Sequence, residues 1–227
     1  IDLYRSMGVT SMSDFLGYMQ STVFNIVPIL VGAFGVALGA SALAGEEGDG
    51  TLENLVALPV SRLQIFSAKT LALLAATLVV ILSVATLLGI SFLFIESEVE
   101  ADVSAIDLFV VMLSSWLVAF VFLALSLFLG AYLPSRGSAL TVGFAVLIGA
   151  FFFNNIADMV SGLDVVQPLS PFYHYQDVSA MLTDEMSWSA VGVLLVMAIA
   201  PLVLGVFAFQ RRDLMVGAWP WQRPRPG

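Results

Sequence analysis

The 227-residue chain contains no cysteine, a single lysine and a single histidine. The first absence excludes disulfides, thiolate zinc sites and a thiol nucleophile. The scarcity of histidine excludes a multi-histidine metal site within one chain. With one lysine among eight bases, against 17 acids and a net charge of −9, the chain has no clustered basic surface for nucleic acid. Charged residues as a class make up only 11%, where a soluble domain carries about 25%. Hydrophobic residues reach 59%, and the mean hydropathy is +0.99. A soluble enzyme is excluded on composition; a membrane protein is what fits.

Charge-free windows then set the architecture. They cover residues 15–45, 70–95, 108–135, 137–157 and 186–210, with lengths of 31, 26, 28, 21 and 25. About 20 apolar residues suffice to cross the bilayer core as a helix. Barrel strands, which alternate over about 10 residues, do not fit such continuous runs. The expected fold is all-α and polytopic, with five transmembrane helices near 20–45, 68–95, 108–134, 137–157 and 186–210.

Orientation follows from the bases. Arg62 and Lys69 lie between the first and second spans, Arg136 between the third and fourth, and Arg211, Arg212, Arg223 and Arg225 after the fifth. Segments 96–107 and 158–185 contain none. With the C-terminus cytoplasmic, every base but Arg5 falls on the cytoplasmic side, and 12 of the 17 acids fall outside. This leaves the N-terminus outside. Because the chain starts at Ile1 rather than methionine, the expectation is a missing upstream span, five helices of six.

The most informative stretch is the loop between the first two spans, residues 46–67, in the context GEEGDGTLENLVALPVSRLQIFSAKT. Gly45, Gly48 and Gly50 can break a helix, and Asp49-Gly50 is a turn signal. Thr51 suits an N-cap for a short helix over 52–58 with Leu52, Leu55 and Val56 on one face. Pro59 ends it. Ser61 and Gln64 have capping-box spacing, so a second helix is expected to begin there and run into the second span. An apolar-faced helix of about 10 Å across the mouth of a hairpin is shaped to enter a partner's groove. The alternative is a capped, charged connector.

This loop resembles the signature of ABC type-2 exporter permeases, which read Glu-x-x-x-Gly-Thr-x-Glu followed by Pro-x-Ser-Arg and a lysine. The matching positions are Glu46 or Glu47, Gly50, Thr51, Glu53, Pro59, Ser61, Arg62 and Lys69. Phe209-Gln-Arg-Arg-Asp-Leu214 and Ser170-Pro171-Phe172 are also similar to the family. The resemblance implies a six-helix half-transporter of the type V (ABCG-like) fold in a prokaryotic plasma membrane. It further implies that residues 52–58 are a coupling helix docking into a separate ABC ATPase subunit. A second permease copy, as homodimer or heterodimer, would complete the complex. Glu46, Glu47, Gly50, Thr51, Glu53, Pro59, Ser61 and Arg62 are then the candidate coupling residues.

What the spans lack bears on the energy source. None of the five windows holds a charged residue or histidine, the groups that ion-coupled carriers place at mid-membrane. The lone Lys69 lacks the glycines of a phosphate-binding loop. The chain is therefore expected to be a transport subunit rather than an enzyme, with no cofactor of its own. ATP and magnesium would bind the partner. A non-ABC membrane module, whether ion-coupled carrier or assembly factor, is the competing reading.

Four further features have two readings each. Gly35, Gly39 and Ser41 belong to a small-residue stripe that permits close helix approach, within the bundle or at a dimer interface. Asn154 and Asn155 suit an interhelical hydrogen bond or helix end better than substrate contact. His174, in Phe172-Tyr-His-Tyr175, reads as an interfacial anchor. Arg211 and Arg212 read as an orientation anchor at a helix C-terminus and the anionic inner leaflet. The outer segment 158–185 is too long to be structureless, and Ser170-Pro171 suits a helix start. A surface-lying segment and the re-entrant helices implied by the resemblance remain equal alternatives.

Overall fold

A computed structural model describes residues 19–48, 60–94, 104–157, 159–160, 163, 165–179 and 187–211. They are almost wholly helical, with no strand among them. Five helices are long and apolar enough to cross a membrane: Thr22–Ala42, Arg62–Leu93, Ala105–Tyr132, Arg136–Ala157 and Trp188–Arg211. All five expected spans are present, and their ends move by a few residues.

The first span opens with a π-helical turn, Met19–Phe24, and continues as α1, Asn25–Ala42. The winding changes at Phe24, the residue whose carbonyl Pro28 cannot bond because it has no N–H. A break at Leu43 leads to the short α2, Ala44–Gly48. Helix α3, Arg62–Leu93, has 32 residues and so measures about 48 Å, well beyond the roughly 30 Å of hydrocarbon. Its start is fixed by the expected capping box. Ser61 N–H donates to Gln64 Oε1 at 2.8 Å, and Gln64 N–H donates to Ser61 Oγ at 3.2 Å.

Helix α4, Ala105–Tyr132, is the hub. It packs against α1, α3, α5 (Arg136–Ala157), α6 (Pro171–Ser179) and α7 (Trp188–Arg211). A second capping box starts it, with Ser104 N–H donating to Asp107 Oδ2 at 2.9 Å and Asp107 N–H to Ser104 Oγ at 3.2 Å. Leu108, Val111, Val118, Leu123 and Leu127 of α4 are fully enclosed. Large apolar side chains instead face outward on α3 and α7, among them Leu71, Val79, Leu87, Val196 and Leu204. That surface suits lipid rather than water.

The interior is small and mildly polar. Two buried serines bond within their own helix: Ser114 donates to the Val111 carbonyl and Ser115 to the Met112 carbonyl, both at 2.6 Å. Trp116 Nε1 donates to Thr77 Oγ1 at 3.1 Å and ties α4 to α3. The closest approach is between α1 and α4. A Cβ on Gly35 would lie 2.6 Å from the Ala119 carbonyl oxygen, and one on Gly39 2.6 Å from that of Leu123. Gly130 on α4 returns the arrangement, facing the Ala40 and Gly39 carbonyls at 3.4 Å.

At the opposite end from the α2–α3 loop, the chain folds back on itself. A 3-10 turn, Gln167–Leu169, leads into α6, which packs on α4 and α7. Phe172 lies against Phe122 and Phe151 at centroid distances of 5.7 and 5.4 Å. Ser170 Oγ donates to the Ala150 carbonyl at 3.1 Å. The start at Pro171 agrees with the sequence. The packing makes α6 part of the bundle rather than a segment lying free on its surface.

Candidate functional site

Chain direction brings five helix ends together at the α2–α3 end: the tail of α1 with α2, the start of α3, the turn from α4 to α5, and the end of α7. Arg62, Lys69, Arg136 and Arg211, the bases among the described residues, are all there. Glu46 on α2 forms an ion pair with Lys69, two turns into α3. Both side chains are largely enclosed, so the pair closes the loop between them at its base. The aliphatic stem of Arg136, at the start of α5, lies beside Gly45, where a Cβ would meet its Cδ at 3.6 Å.

Arg62 is the first residue of α3, and its Nη1 donates to the Phe209 carbonyl of α7 at 2.9 Å. That carbonyl lies in the last described turn of α7. The guanidinium also sits 5.8 Å from the centroid of the Phe209 ring, within cation–π range. One turn further along α3, Phe66 meets the same ring at 6.3 Å. Phe66 also lies so close to Gly205 that a Cβ there would be 2.8 Å from Phe66 Cζ. Leu43, Ile65, Phe66, Leu123, Leu127, Ala131 and Phe209 form one core cluster directly beneath this end.

The structure therefore gathers Glu46, Ser61, Arg62 and Lys69 at one end of the bundle. For Glu47 only the helical backbone is described. Gly50, Thr51, Glu53, Pro59 and the expected helix over 52–58 lie outside the described residues, as does Arg212. Arg211 ends α7 as an exposed side chain. Gly35 and Gly39 face the α4 backbone of the same chain, while Ser41 Oγ donates to the Ala37 carbonyl of its own helix at 2.6 Å.

At the far end, the expectation for His174 changes, while that for Asn154 and Asn155 holds in its helix-end form, near the end of α5. His174 is 8% exposed, and its Nε2 is 2.8 Å from the Pro168 carbonyl. It is folded into the α6 cap rather than presented at an interface, because the turn through Gln167–Leu169 brings a carbonyl over the ring. The amide of Asn155 donates to the Phe151 carbonyl of its own helix at 2.9 Å. The cross-segment contact of this pair is made by backbone, Gln167 Nε2 to the Asn154 carbonyl at 3.5 Å.

Sequence reasoning missed the reach of Arg62 to Phe209, and the role of Gly205 and Phe66. The sequence signal that could have pointed there is Gly205 and Phe209 one turn apart, matching Arg62 and Phe66 one turn apart.

Residues 1–214 match the description "ABC-2 family transporter protein". The chain belongs to this ABC-2 transporter family. It is accordingly an ABC transporter membrane subunit, a multi-pass permease of the plasma membrane. It is also similar to "Uncharacterized membrane protein YdbK" of Bacillus subtilis (strain 168). The two are 23% identical over 210 residues, covering 89% of this chain and 85% of the relative.

Proposed function

We propose that this ABC-2 permease is the membrane half of an ATP-driven exporter, working as a dimer with two separate ATPase subunits. The loop end of the bundle faces the cytoplasm, and residues 46–60 form the docking arm. ATP and magnesium bind the ATPase partner. ATP binding there draws the ATPase subunits together, pushes the arm, and switches a cavity between two permease copies from inward- to outward-open.

The observation that supports this most directly is the anchoring of the loop's base. The Glu46–Lys69 pair and the Ser61–Gln64 capping box hold both ends of the loop against helix termini. A docking element needs such a base, since a force on a freely hinged loop would not reach the spans. The charge-free windows count against ion coupling.

The test is reconstitution of the full-length permease in liposomes with and without a candidate ABC ATPase subunit from the same organism. Cargo movement and nucleotide hydrolysis are expected only with both subunits present. Transport by the permease alone, or no association with the ATPase, would refute the proposal.

A further inference from the structure

We propose that Arg62 is a positioning residue that relays movement of the docking arm into the end of the last span. The inference rests on the exporter reading above. Arg62 stands three residues beyond Pro59, at the exit of the arm. Its backbone is locked as the first residue of α3 by the Ser61–Gln64 capping box. Its side chain is locked on α7 by the bond to the Phe209 carbonyl and by the Phe209 ring. A displacement of the arm therefore acts on α3 and α7 together, 147 residues apart in sequence.

The attachment on α7 is suited to the task. The guanidinium supplies a charged donor to a backbone carbonyl in the last described turn, a stronger bond than a neutral one. Phe66 adds a second contact one turn along, against Gly205 and the Phe209 ring. Between this clamp and the remainder of α7 lies Pro201. Pro201 offers no N–H to the Met197 carbonyl, so the helix is weakest there. The described segment after Pro201 is gripped by Arg62 and Phe66.

The Glu46–Lys69 pair ties α2 to α3, whereas the Arg62 bond reaches the end of α7.

The 227 residues contain no cysteine, so a labelling experiment needs replacement only of any cysteine elsewhere in the full-length chain. A single Gln210→Cys in the full-length permease, assembled with its ATPase, reports the exposed end of α7 through its rate of labelling by a fluorescent maleimide. The permease band is read separately on a gel. With Arg62 in place, the rate is expected to differ between the nucleotide-free and ATP-bound complexes. In R62M, which keeps an apolar stem over Phe209 but has no donor or charge, the ATPase is expected to stay bound and hydrolyse ATP. The nucleotide-dependent difference at Cys is expected to be lost.

An unchanged difference in R62M overturns the proposal. So does a rate insensitive to nucleotide when Arg62 is present. Loss of the ATPase from R62M also overturns it, because Arg62 would then act in docking rather than relay. R62Q, too short to reach the carbonyl, replaces R62M with the same readings if R62M is not monodisperse. A complex that never forms with Arg62 in place refutes the exporter reading itself, and the relay with it.

Discussion

Replacing Gly35 and Gly39 by alanine tests the claim that α1 and α4 meet backbone to backbone. Each new Cβ would sit 2.6 Å from a carbonyl oxygen of α4, and the one on Gly39 also 3.0 Å from Leu127 N. Ordinary contact begins at 3.4 Å, so the helices must part by about 0.8 Å. Neither atom is the movable tip of a side chain. A gap of about 0.5–1 Å forfeits a quarter to a half of the dispersion attraction between facing atoms. The expected cost is about 1–3 kcal/mol for each substitution. The double substitution should cost less than the sum, since separation for one alanine makes room for the other. Gly149 and Gly192 supply matched controls on the same kind of helix, because a Cβ at either meets nothing within 4 Å. The assay is reversible unfolding of the purified permease in mixed micelles of rising SDS fraction. G35A and G39A should unfold earlier than the unsubstituted chain, and G149A and G192A should not. If G35A and G39A unfold together with the controls, the close approach is wrong.

Two further outcomes follow from other parts of the fold. S61A removes the acceptor of Gln64 N–H, a loss of about 1 kcal/mol; amide exchange at Gln64 should quicken about fivefold, and an unchanged rate would refute the cap. Burial pushes the Tyr175 phenol above the ordinary tyrosine range. A raised folded value means that stability is intact below about pH 10, where an unfolded tyrosine ionises, and falls as pH climbs from there toward the folded value. Y175F should remove that alkaline loss while leaving neutral-pH stability close to native; identical alkaline profiles would refute it.

Much of the fold was legible because lipid imposes a simple rule. A charge cannot sit cheaply in hydrocarbon, so the gaps between charges at 15–45, 70–95, 108–135, 137–157 and 186–210 mark the helices. Local chemistry was legible too, as Ser61 and Gln64 illustrate: three residues of spacing fix which side chain reaches which N–H. The Ser104–Asp107 box follows the same rule and was overlooked, although its spacing is visible in the sequence. The candidate site was legible only in part. Its motif named Glu46, Ser61, Arg62 and Lys69, but not what they touch.

The sequence by itself determined the number of spans, the loop motif and the family, since each depends on neighbours in the chain or on the cost of charge in lipid. Tertiary structure alone decided that α4 is the hub, that Gly35 and Gly39 serve α4, and that His174 is enclosed. It also decided that Arg62 reaches Phe209. The physical reason is that uniformly apolar helices carry no amphipathic stripe to announce their partners. Which face turns inward depends on close packing between residues far apart in the chain, and on side chains such as Arg62 that reach a carbonyl of another helix.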